Sequence, residues 1–282
     1  MELGDAIDRA IKGDRRALFD ILARGSKLPG TRANDALASA FADIVATRDK
    51  GLRLALEMAA LHADEAPGDT ALEFLPVCGV YALGAIGARA KDEKARTRAV
   101  AALHDAAEDL RFRVRDAVPL ALEAIGAAHG PWLARALAGW MDGFFHAAAA
   151  LRALARPNFL NALAEADEPV ARLDEAWTLV AEAPRSMVRY PGHKALMEEL
   201  AKVAAPFALR FGAPVFDALE ARARSLKDPV LRDALERCVR EGKLGARFAS
   251  DVARVRAALS ETAPPVRDPR AAPRPTRRRG RR

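Results

Sequence analysis

Sulfur, aromatic side chains and long apolar runs are all scarce in this chain. Cys78 and Cys238 are its two cysteines, 160 positions apart, which excludes a disulfide framework and the paired spacing of a zinc or redox motif. Aromatic residues make up 6% of the 282 positions, with two tyrosines. The longest uncharged run, residues 74 to 88, spans 15 positions and stops at Arg89, short of the roughly 18 to 20 that a membrane helix needs. The opening "MELGDAIDRAIKGDRR" is charged every few residues and lacks the apolar stretch of a secretory signal. These absences predict a soluble, cytoplasmic protein with no membrane partner.

β-branched residues do not cluster between turn signals, and no segment alternates apolar and polar positions long enough to read as a strand. There is no G-x-G-x-x-G, P-loop, G-x-S-x-G or H-E-x-x-H, so no cofactor, metal or catalytic residue is expected from those motifs. Outside one stretch considered below, His62, His129, His146 and His193 stand singly, and isolated histidines are more often structural than catalytic.

Ala, Leu, Arg and Glu dominate, and all are good helix formers. Gly, Pro, Asn and Asp divide the chain into predicted helices at about 3–12, 14–24, 34–48, 51–62, 70–88, 94–109, 112–127, 131–141, 143–155, 157–165, 168–183, 192–211, 214–226, 229–240 and 246–260. Asn34 or Asp35, Asp69 or Thr70, and Asp228 with Pro229 fit as starts, while Gly25, Gly130 and Gly242 fit as stops.

Charge is distributed unevenly. Residues 263 to 282, ending "RAAPRPTRRRGRR", hold eight arginines and one aspartate, a net of +7 that equals the formal charge of the whole chain. The preceding 262 residues balance 37 basic against 37 acidic side chains. Five prolines and few apolar groups predict a disordered terminus, with attraction to a polyanion concentrated in it. The expected nucleic-acid-binding residues are Arg270, Arg274, Arg277, Arg278, Arg279, Arg281 and Arg282, acting by phosphate neutralisation without reading bases.

A repeat organises the remainder. In "FRVRDAVPLALEAIG", Val114, Ala117, Val118, Ala121, Leu122 and Ile125 step by 3, 1, 3, 1 and 3, which marks one buried helix face. Thirty-nine residues earlier, Leu75, Cys78, Gly79, Ala82, Leu83 and Ile86 take the same steps, and Gly87 matches Gly126. At three times that interval after the middle copy, Leu231, Ala234, Leu235, Cys238 and Val239 follow it, with "LRDA" echoing "VRDA". Both cysteines fall on this stripe and are expected to be small core residues.

A helical pair recurring near 39 residues buries its stripe only by stacking on neighbours. "EDLRFRVRDAVPLALEAIG" resembles the HEAT-like repeat family, an inter-helix turn followed by a second helix, with Asp109, Val114 and Arg115 in the expected places. "KDPVLRDALERCV" resembles another copy, with Asp228 and Arg232 as counterparts. The resemblance covers about 70 to 155 and 214 to 240. It implies an all-α, right-handed α-solenoid of six or seven helical pairs over residues 1–262, followed by the disordered Arg/Pro-rich tail, 263–282.

Two stretches suggest chemistry. "AALHDAAEDL" resembles the HDxxED signature of alarmone hydrolases, which would make His104 and Asp105 metal ligands and Glu108 and Asp109 a water-activating pair. That family also needs an upstream ligand His, which residues 79 to 88 lack. Ala99, Val100, Leu103, Ala106, Ala107 and Leu110 share one arc of about 120°, leaving the four polar residues on a solvated opposite face. Some alkylpurine DNA glycosylases are built from HEAT-like repeats and place aromatics and a carboxylate at the damaged nucleotide. The candidates for that reading are Trp132, Trp140 and Asp142, with Arg185, Arg189, Tyr190 and His193 on an expected loop. Trp140 and Asp142, two apart, are expected on different helix sides.

The function expected from sequence is therefore non-catalytic binding: a scaffold that presents a surface to a protein partner and attaches to nucleic acid or another polyanion through its tail. The glycosylase is the alternative.

Overall fold

The computed structural model describes residues 2–240 and 244–262. The arginines 270 to 282 and the proposed stop Gly242 lie outside the described residues. Those residues contain no strand; they form fifteen α-helices joined by short turns.

The helices are α1 (Leu3–Ile11), α2 (Arg16–Gly25), α3 (Asp35–Val45), α4 (Gly51–Ala59), α5 (Phe74–Arg89), α6 (Glu93–Ala107), α7 (Phe112–Ala136) and α8 (Phe144–Leu154). They continue as α9 (Pro157–Asn161), α10 (Asp167–Ala181), α11 (Pro191–Phe211), α12 (Ala213–Ser225), α13 (Pro229–Arg240), α14 (Leu244–Arg247) and α15 (Ala249–Glu261). Three 3-10 helices, Ala71–Glu73, Leu137–Trp140 and Arg185–Arg189, supplement them.

Local chemistry accounts for several boundaries. Asn34 accepts a hydrogen bond from the Leu37 amide and starts α3; Asp228 accepts from the amides of Val230 and Leu231 and starts α13. Near residue 70 a different group acts. The buried Glu73 carboxylate accepts from the Asp69 amide at 2.9 Å and from the Arg113 guanidinium at 2.8 Å, so the turn is fixed from inside the helix start.

α7 joins two predicted helices across a kink at His129, whose φ of −135° and ψ of 41° are not helical. Pro131, two residues on, also denies this stretch a backbone amide donor. The stretch 157–165 forms a shorter helix than expected, ending at Asn161, and the expected loop at 184–193 is instead a 3-10 helix followed by the start of α11.

The repeat stripe is buried at all but one of its predicted positions. Leu75, Cys78, Ala82 and Leu83 in α5, all six positions from Val114 to Ile125 in α7, and Leu231 to Val239 in α13 belong to the core, while Ile86 is half-buried. α11 carries a further copy at the matching interval: Gly192, Leu196, Leu200 and Val203 are buried. Glu199 occupies one of its stripe positions, which hides the pattern in sequence.

α5 packs against α3, α4, α6 and α7, and α11 against α8, α10, α12 and α13. Close approach requires small residues there: a Cβ on Gly79 would lie 2.3 Å from the Ala59 nitrogen, and one on Gly84 2.6 Å from Ala121 Cα. The segment Ala71–Arg89 is long and apolar enough by composition to cross a membrane, and 67% of its apolar window is buried inside the protein. The 3-10 turn before α5 lengthens it beyond the uncharged run read from sequence.

Both cysteines are buried, and neither forms a disulfide among the described residues. Burial pushes the Cys78 thiol well above its ordinary range, and Cys238 Sγ donates to the carbonyls of Leu200 and Ala234. Neither is placed to react.

Candidate functional site

Two sequence stretches read separately converge at the end of α6. His104 lies in the last turn of α6, and Glu108 caps that helix. The 3-10 turn Leu137–Trp140 turns the chain back so that Asp142 and His146, four residues apart, meet His104.

His104 Nε2 lies 3.2 Å from Asp142 Oδ1 and 3.1 Å from Oδ2, and His146 Nδ1 lies 2.9 Å from Oδ1. The two imidazoles stack, with centroids 3.6 Å apart and planes 24° from parallel. Trp140 closes one side, its ring perpendicular to His104 at 5.1 Å. Trp140 and Asp142 were expected on different helix sides, but they stand on a tight turn and both reach His104.

Glu108 borders the same cluster. Tyr190 OH donates to Glu108 Oε2 at 3.1 Å. A Cβ added to Gly143 would lie 2.7 Å from His146 Nδ1 and 3.3 Å from Glu108 Oε1, so glycine leaves the space in which these groups approach. Burial raises the Asp142 carboxyl, but hydrogen bonds and proximity to His104 and His146 outweigh it and hold Asp142 below the ordinary carboxylate range. Burial, together with Glu108, raises the Tyr190 hydroxyl.

The cluster opens on a groove of about 490 Å³ whose walls include Trp132, Trp140, Val100, Ala101, Glu93 and Asp105. Trp132 Nε1 donates to Glu93 Oε1 at 3.2 Å, and the Arg96 guanidinium lies 5.1 Å from the Trp132 ring centre. One indole is buried and the other half-buried, so the groove offers an apolar wall beside a polar corner.

The remaining sequence candidates separate. Asp105 is exposed and lies outside the His104 contacts described. Asp109 is bound by Arg111 through both oxygens, and Arg111, itself buried, also donates to the carbonyls of Leu61, His62 and Ala66. The acidic pair of the hydrolase signature is thus divided between Tyr190 and a structural arginine. Leu110 does not complete the buried arc: α6 ends at Ala107, and Leu110 is 87% exposed.

Arg185 and Arg189 are exposed on their 3-10 helix. His193 is buried in the first turn of α11, edge-on to Phe144 at 5.3 Å, and burial lowers its pKa. Sequence reasoning missed His146 because it was judged alone. The available signal was Asp142 four residues before His146, a spacing at which a carboxylate and an imidazole can meet across the start of a helix.

No protein-family model matches this chain, and no curated protein matches it.

Proposed function

We propose that this protein is a non-catalytic binding scaffold of the cytoplasm, a right-handed α-solenoid of HEAT-like helical pairs. In this reading it presents a helical surface to a protein partner and attaches to nucleic acid or another polyanion through its Arg/Pro-rich terminus. The observation that carries it is charge segregation: the first 262 residues are formally neutral, and the last twenty hold the whole net +7.

The helical body supports the reading by what its arginines do. Arg48 pairs with Asp8 at 2.8 Å, Arg89 with Asp43 at 3.1 Å, and Arg254 with Asp217 at 2.9 Å and Glu220 at 2.6 Å. Arg152 with Asp116 and Arg222 with Asp174 make further pairs between helices. These guanidinium groups have carboxylate partners within the fold, so their field at a distance is reduced. The 39-residue recurrence and the burial of its stripe in α5, α7, α11 and α13 support the HEAT-like part.

Binding to duplex DNA and to single-stranded RNA should be measured across a salt series with the full chain and with a chain ending at Thr262. Each phosphate engaged contributes about −0.9 to the log-log salt slope on duplex DNA. The reading expects the full chain to bind with a steep slope and the shortened chain to lose binding. A salt-insensitive interaction would sink it.

One observation favours the glycosylase as a second reading: Trp140, Asp142 and Tyr190 border one polar corner. It expects release of a methylated purine from DNA and loss of that release in Asp142→Asn. An unchanged rate in the variant would remove Asp142 from that role.

A further inference from the structure

The His104, Asp142 and His146 cluster has chemistry that a scaffold does not require. We infer that these three side chains form a binding site for one divalent first-row transition-metal ion, with the Glu108 carboxylate beside it.

The donor set is the first argument. Two imidazole nitrogens with one or two carboxylate oxygens suit zinc, cobalt, iron or nickel, whereas oxygen-only sets suit calcium or magnesium. Spacing is the second. Ligand atoms 2.0–2.1 Å from a shared ion, at angles between octahedral and tetrahedral, stand about 2.9–3.4 Å from each other. Both histidine–carboxylate pairs lie in that interval, His146 with Asp142 at 2.9 Å and His104 with the two Asp142 oxygens at 3.2 and 3.1 Å, and the three ligand atoms, the two imidazole nitrogens included, fall within 4.8 Å of one another.

Support and access add to this. His104 is held between Trp140 and the stacked ring of His146, and His146 is buried in the first turn of α8. His146 Nε2, the ring nitrogen away from Asp142, is buried without a hydrogen-bond partner. In the metal-free protein the Asp142 carboxylate accepts from His146 Nδ1–H, and an ion at Nδ1 would take the place of that proton, as metal binding to imidazole requires. The Asp142 side chain is 55% exposed and that of His104 27%, which leaves a face of the ion open to water or to a small ligand from the Trp132–Trp140 groove. Three protein ligands with an open position is the arrangement of a site that exchanges ligands, unlike a closed four-ligand structural site.

The test uses the full chain, treated with a chelator, dialysed, and titrated with Zn²⁺ by calorimetry and with Co²⁺ by visible absorption. The expected result is one equivalent of Zn²⁺ with a Kd of about 1 µM or tighter. Co²⁺ should give the weak d–d bands of a nitrogen and oxygen site without a thiolate charge-transfer band. His104→Gln and Asp142→Asn, both at partly exposed positions, should each weaken binding by tenfold or more, and His146→Ala at least as much. His62→Ala and His129→Ala should leave stoichiometry and affinity unchanged.

Thermal melts keep the result interpretable if His146→Ala folds poorly. Zn²⁺ should raise the melting temperature of the wild type by the binding linkage and leave that of Asp142→Asn unmoved. No uptake by the wild type would overturn the inference. So would equal uptake by the wild type and the His104→Gln/Asp142→Asn double variant.

Discussion

His193 shows how one buried side chain writes a pH dependence into the fold. Its ring packs edge-on to Phe144, and burial lowers its pKa from the ordinary 6.5. The unfolded chain therefore takes up a proton at a pH where the folded chain does not. The contribution of His193 to stability is full above about pH 6.5 and declines as pH falls from there toward the lowered folded value. Urea unfolding at pH 7.5 and pH 5 should show the wild type losing more stability on acidification than His193→Leu; equal losses would contradict this. Gly84 makes a steric prediction at the same scale. A methyl there would meet Ala121 Cα at 2.6 Å. Gly84→Ala should cost about 1–3 kcal/mol in chemical denaturation, as overpacking a tight helix crossing does.

Among elements, the turns before α7 and α13 are held by arginines as well as by apolar contact. Arg111 lies at the start of α7 with its guanidinium buried, satisfying carbonyls of the α4–α5 connection and the Asp109 carboxylate. Arg111→Met should destabilise by about 3–5 kcal/mol in urea unfolding, because buried carbonyls and a carboxylate lose their donor together. Arg115 and Arg232, equivalent in the repeat, both donate to a carbonyl six residues earlier, that of Asp109 and that of Leu226. The Asp counterparts are less alike. Asp228 caps α13, while the equivalent place before α7 is taken by Arg111.

At the scale of the whole molecule, Thr262 joins two helices: its Oγ1 donates to Ala258 O at 2.8 Å and accepts from Arg232 at 2.9 Å, which ties it to α13 as well as to α15. A chain ending at Thr262 keeps those bonds. The reading proposed above, in which residues 263–282 serve attachment, expects its melting temperature to match that of the full chain within about 2 °C, as changes away from packed features usually cost within ±0.5 kcal/mol. On a heparin column the full chain should be retained and the shortened chain should elute at far lower salt. Retention of both would place a basic surface on the helical body.

What the sequence determined by itself was local. Most helix spans, the Asn34 and Asp228 starts, and the buried stripes of α5, α7 and α13 follow from periodicity and capping, which act over three or four residues. The arc drawn through Leu110 failed because it assumed a helix that stops at Ala107, and the α11 stripe stayed hidden behind Glu199. The tertiary structure decided what meets what. His104 and Asp142 are 38 residues apart, and Glu108 and Tyr190 are 82 apart. Their meeting depends on how the turn after α7 folds back against the end of α6. That packing geometry is set by many side chains at once, and no spacing within the chain encodes it.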